Sequence, residues 1–148
     1  ENPLKYQEYD VEDISIKSFM SYESITSKSS HQYQLQQNAY TGEYGIRKVY
    51  NRYCIAVGSY FTTEIGTYID LVLQNGIVIP CVLADCKADK DTDNLHMKTI
   101  HDQSLVEFVI NTKCIDSYVL KTGDISNTCV EWNSPIIKIK IYEKKENY

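Results

Sequence analysis

Residues 84–93, ADCKADKDTD, place four aspartates and two lysines at the end of the apolar run IVIPCVL. Asp85 is the one that terminates this strand-like run, and a carboxyl there is expected to be partly desolvated. Desolvation raises a carboxyl's pKa and prepares it to hand over a proton, which is the property of a general acid. Asp89, Asp91 and Asp93 read as surface turn residues. Their spacing matches the first half of a calcium loop, but no glycine follows Asp93 and no glutamate closes a twelve-residue loop. Glu107 interrupts LVEFVI between Val106 and Phe108. It is either an outward residue of a half-exposed strand or a second carboxyl pointing into the cleft of Asp85.

Other chemistry-bearing residues give weaker patterns. His96 and His101 are five apart and share no helical face. His101-Asp102 lacks a serine or cysteine in a nucleophile elbow. Neither GxGxxG nor GxxxxGK occurs, so no phosphate loop is present. The five cysteines, at 54, 81, 86, 114 and 129, contain no CxxC pair, which argues against a zinc site. Cys54, Cys81 and Cys86 lie in or beside apolar runs, where cysteine is a small buried hydrophobe. A disulfide between Cys114 and Cys129 is the candidate crosslink, closing the loop between two late strands. No cofactor and no metal is implied by these residues.

The elements that must position these groups follow from periodicity. Residues 1–30 are polar and read as an arm or linker, in which VEDISIKSF alternates well enough to add an edge strand. Residues 31–148 form the folded domain. Within residues 31–50 the alternation of Tyr33 and Leu35 predicts a strand at the start, followed by turns at Thr41–Gly42 and near Gly45. Strands are predicted at 52–57, in YIDLVLQ, in IVIPCVLA, in LVEFVI, in CIDSYVL and in SPIIKIKIY, with Asn75-Gly76 as a hairpin turn. About six or seven short strands, long irregular loops and almost no helix describe an all-β fold, a small barrel.

Composition bounds the rest. The 148 residues suffice for one hydrophobic core. A net charge of -5 argues against nucleic acid, whose phosphates require neutralising cations. No apolar run approaches the length of a membrane span. Thirteen tyrosines against three phenylalanines suit strands and sites that stack on sugars or peptides. The start ENPLKYQEYD, without a methionine, is compatible with a mature secreted protein or a trimmed chain.

The order CIAVGSYFTTEIGTYIDL, VIPCVLADCKAD, LVEFVI resembles the 3D domain of secreted bacterial cell-wall proteins, a relative of the catalytic barrel of MltA-type lytic transglycosylases. The resemblance implies a six-stranded double-psi β-barrel that cleaves peptidoglycan glycan strands. Ala56-Val57 match the family's first strand, Gly66-Thr67 its turn, and Ala84-Asp85 its central motif, whose aspartate is the proposed acid/base. Gly58 stands where the first aspartate is expected, Cys86-Lys87 replace Thr-Gly, and Glu107 replaces the third aspartate. The resemblance makes Asp85 the catalytic group, assisted by Glu107, with Tyr60, Thr67, Tyr68, Lys87 and His96 as substrate contacts. It implies a peptidoglycan glycan strand as partner and a secreted or cell-wall location, in a Gram-positive bacterium or its phage. The alternative is a non-catalytic module that holds glycan on the same barrel, favoured by Gly58 and by Lys87, which would depress the pKa of Asp85 if it folded back onto it. Oligomeric state is open.

Overall fold

The computed structural model describes residues 5–13, 16–145 and 148. Nine strands and two short α-helices follow in chain order. They are β1 (Tyr6–Asp10), β2 (Ser18–Ser21), α1 (His31–Gln37), β3 (Tyr40–Thr41), β4 (Arg47–Val49), β5 (Arg52–Val57), β6 (Thr67–Leu73), β7 (Val78–Cys86), β8 (Val106–Ile110), α2 (Ser117–Thr122) and β9 (Ile136–Lys145). With the short 3-10 turns included, helix accounts for 21% of the described residues, so the fold is mixed α/β rather than all-β.

The strands make one sheet in the order β1-β9-β6-β7-β5-β4-β3, and β8 joins β5 while carrying β2 on its outer side. β5 and β7 run parallel, as do β2 and β8, whereas β6 pairs antiparallel with both β7 and β9. Both β4 and β8 occupy the same flank of β5, the first at its start and the second at its end. Closing a sheet requires its two end strands to pair. Among the described residues no pairing joins β1 to β2 or β3, so the expected double-psi barrel is replaced by an open sheet.

Sequence and structure agree where periodicity was strong. Ile69, Leu71 and Leu73 alternate inward along β6; β9 forms where expected, but a register shift at Val72/Leu73 buries Ile136 and Ile139 and leaves Ile137 and Ile141 only partly covered. At Asn75-Gly76 the chain turns with Gly76 at φ 89°, and the Asn75 side chain accepts from the backbone of Ile77. Tyr53 to Val57 of β5 and Cys81 to Ala84 of β7 are buried without alternation, as central strands covered on both faces are.

Two predicted strands are helices instead. Ser30 caps α1 by accepting from the Tyr33 backbone, and Leu35 and Gln36, adjacent in sequence, are both buried there. α2 replaces the strand expected in CIDSYVL. Asp116 accepts from the backbones of Tyr118 and Val119 at its start, and Gly123, at φ 70°, ends it in a left-handed turn. The expected Cys114–Cys129 disulfide is not formed, and all five cysteines are free.

The segment before α1 is built into the sheet. β1 pairs with β9 from Tyr6↔Tyr142 to Asp10↔Lys138. Lys17, 0% exposed, donates from Nζ to Ser126 Oγ and to the carbonyls of Trp132 and Ser134. Those acceptors are what allow an ammonium to remain in a core. Trp132 stacks on Phe108 at 5.6 Å and meets Tyr53 edge-on at 5.2 Å, seating the 125–135 segment on the sheet.

Candidate functional site

Ala56 is the register partner of Asp85 on one side and of Glu107 on the other. Paired residues share a face, so the two carboxyls stand on the same side of the sheet with Ala56 between them, about 9.6 Å apart at Cα from two strand spacings. A bulge at Ile55/Ala56 sets this register by skipping Ala84. A one-residue slip would send Asp85 to the opposite face.

Each carboxyl then opens into its own recess. Asp85 lines one of about 250 Å³ with Ser24, Thr26, Ser27, Ser30 and Gln32. Its Oδ1 accepts from the Cys86 backbone at 2.8 Å and from Gln32 Nε2 at 3.4 Å. Burial raises its pKa, and these two donors only partly oppose the rise. Glu107 lines a larger recess of about 640 Å³ with Lys87, Lys90, Asp91, Thr99 and His101. Burial raises its pKa as well, opposed by the charge of Lys87 and reinforced by Asp102 and Asp85.

Lys87 does not fold back onto Asp85. Its Nζ donates to Thr99 Oγ1 at 2.6 Å, to the Ser104 carbonyl at 2.7 Å and to Ser104 Oγ at 3.2 Å. This ammonium therefore ties the 99–104 loop to the end of β7, and the charges that act on it are those of Glu107, Asp102 and Asp13.

The other expected contacts lie elsewhere. Tyr60 is past the end of β5, packed edge-on against Tyr9 and Phe61. Thr67 is buried and donates to the Glu64 carbonyl at 2.6 Å. The Tyr68 ring lies beneath Arg52 at 4.1 Å and near Lys144 at 5.2 Å. His96 shares a 2.9 Å hydrogen bond with Thr92 Oγ1, and its carbonyl accepts from the Tyr60 backbone. That carbonyl also explains Gly58: a Cβ there would sit 2.0 Å from His96 O. The 89–100 loop crosses where an aspartate side chain would need to be.

Gln32, Ser30 and the 24–27 turn were missed by the sequence reading. α1 and its cap bring Gln32 and Ser30 to Asp85, the preceding residues 24–27 complete the recess, and the Ser30 cap was the one local signal for that helix. The remaining acidic residues of the charged decapeptide serve the loop itself. Asp93 accepts from the backbones of Met97 and Lys98, and Asp89 accepts from Ser59 Oγ. Among the described residues, no helix is long and apolar enough to cross a membrane. No protein family, curated protein or solved structure matches the chain. The open-sheet topology thus overturns the resemblance to the 3D domain, no comparison restores it, and any activity has to be argued from the site alone.

Proposed function

We propose that the protein cleaves the glycosidic bond of a glycan strand of the peptidoglycan type, with Asp85 as a single acid/base. One observation carries this reading. Asp85 is a half-buried carboxyl with a raised pKa, it opens into a recess rimmed by hydroxyl and amide groups, and Lys87 is engaged elsewhere. Carboxyls raised by burial and opening into a recess are candidates for proton-transfer chemistry. Protonated Asp85 gives its proton to the glycosidic oxygen as the C1–O bond breaks. The resulting carboxylate then takes a proton from the attacking hydroxyl, whether that belongs to water or to the sugar itself. Glu107 opens into a separate recess and reaches the oxocarbenium-like centre only through its charge, when it is ionised. Such a substrate puts the protein outside the cell membrane, at the cell wall.

A second reading, in which the glycan is held and not cut, is favoured by a different observation. Asp85 and Glu107 open into separate recesses, and Tyr60 and Tyr68 pack away from both. Incubation with purified peptidoglycan from several wall types, followed by mass spectrometry of the soluble fraction, separates the two. Cleavage releases fragments, Asp85→Asn abolishes the release with the circular dichroism spectrum unchanged, and Glu107→Gln reduces it. Products one water lighter than hydrolytic ones identify the sugar's own hydroxyl as the attacking group. Retention on insoluble glycan without release selects the holding reading. Neither release nor retention on any wall type removes both.

A further inference from the structure

The recess at Asp85 does not end there. Gln32 lines it and also lines a neighbouring recess of about 460 Å³, shared with His31 and Tyr148. Tyr148 in turn lines a third, of about 550 Å³, with Asn38, Tyr40 and Tyr50. The three are linked pairwise by shared residues and follow α1, whose seven residues span about 10 Å. Recesses joined in a row suit a linear polymer better than a compact small molecule.

At its far end the track is aromatic and uncharged. Tyr50 is 71% exposed, Tyr40 46% and Tyr148 37%. Tyrosine offers an apolar ring face with a polar tip, which matches the alternation of C–H faces and hydroxyls on a sugar ring. None of the four lining residues is a cation, and Lys145 of the middle recess is paired with Glu64, whereas a nucleic-acid strand needs cations along its backbone.

Tyr50 supplies an independent observation. It and Asn51 form the two-residue hairpin between β4 and β5, with φ of 47° and 67°. Turns of that kind favour Asn-Gly because both central residues are left-handed, and a bulky side chain at the first position is strained. Tyr40 Oη donates to Asn51 Oδ1 at 3.4 Å and links this hairpin to β3. Backbone strain of this kind clusters at active sites and ligand clamps.

The geometry points to Tyr40, Tyr50 and Tyr148 as a sugar-stacking subsite, holding a neutral ring of the glycan strand whose other end reaches Asp85 along α1. This rests on the glycan reading above, and binding can be measured separately from cleavage. The probes are peptidoglycan-type disaccharide, tetrasaccharide and hexasaccharide, titrated calorimetrically into the full chain carrying Asp85→Asn so that none is consumed. The hexasaccharide should bind more tightly than the disaccharide. Tyr50→Ala, added to that background, should weaken the hexasaccharide about 10-fold, the loss of roughly one stacking contact. The disaccharide should be unaffected, and Tyr50→Phe should retain the hexasaccharide affinity. Tyr50→Gly relieves the turn, so it should raise the melting temperature while losing the same affinity, a combination that a purely structural role would not produce. Equal hexasaccharide affinity with Tyr50 and with alanine overturns the subsite, even if the wild-type chain cleaves glycan. Tyr50-dependent binding with no cleavage by the wild type removes the cleavage reading and leaves the subsite standing. Absence of binding to every probe overturns both.

Discussion

Asp13 is the residue whose ionisation most directly opposes the fold. Its Oδ2 accepts from the Ile136 backbone at 3.3 Å, while Oδ1 is buried without a hydrogen-bond partner among the described residues. Burial pushes its pKa from 3.8 to about 6, against the weaker pull of Ile136, Lys17, Lys98 and Lys87. A carboxyl raised in the folded state holds its proton more tightly there than in the unfolded chain. Its stabilising contribution is therefore complete below about pH 3.8 and is lost as pH rises through about 6. Urea unfolding of wild type and Asp13→Asn across that range should diverge, the variant becoming more stable at neutral pH by on the order of 2 kcal/mol. Curves that stay parallel would show that Asp13 is hydrated and ordinary. Asp85 was legible in the sequence because a carboxyl at the end of an apolar run has few places to go. The meaning of Gly58 was not, because the carbonyl that excludes a side chain there comes from His96, in a loop whose path no local pattern announces.

At the level of elements, α1 decides whether Asp85 has a site around it. Ser30 Oγ accepts from Tyr33 N, and the next residues present Gln32 to the carboxyl. Ser30→Ala should cost about 1 kcal/mol in urea unfolding through the lost cap. The same change loosens Gln32, whose donation lowers the Asp85 pKa. Carbon-detected NMR titration should therefore place that carboxyl higher in the variant, and an unchanged Asp85 titration would disconnect helix from site. Strong alternation made β6 and β9 readable, and Asn-Gly made the β6–β7 turn readable. The two helices were hidden for opposite reasons. In α1, Tyr33 and Leu35 imitate a strand over too short a window, whereas α2 announces itself only through Asp116 and Gly123 at its ends. The barrel expectation failed at a third level, since strand count and length do not specify which strands flank β5.

For the molecule as a whole, stability rests on packing and not on crosslinks. Cys54 and Cys81 are buried, Cys114 is exposed, and none is bonded to another. Thiol titration of the unfolded protein should return five thiols with or without reductant, and reductant should leave the unfolding midpoint unchanged. Fewer thiols without reductant would reveal a bond that reshapes the 111–135 segment. The sheet has one further consequence, for how the chain reaches this state. β1 finds its partner in β9, with Lys138 bonding Glu8 across 130 residues, and Lys17 reaches Ser134 across 117. β1 thus waits for a strand made some 130 residues later, and so does the lysine that plugs the core. Contacts this distant in sequence slow folding by the entropy of closing long loops, placing it toward the slow end for single domains. During that wait the central strands β5, β6 and β7 can already pair with each other while lacking β9 on one flank. A nascent chain paused there exposes an open β6 edge until β9 has been made.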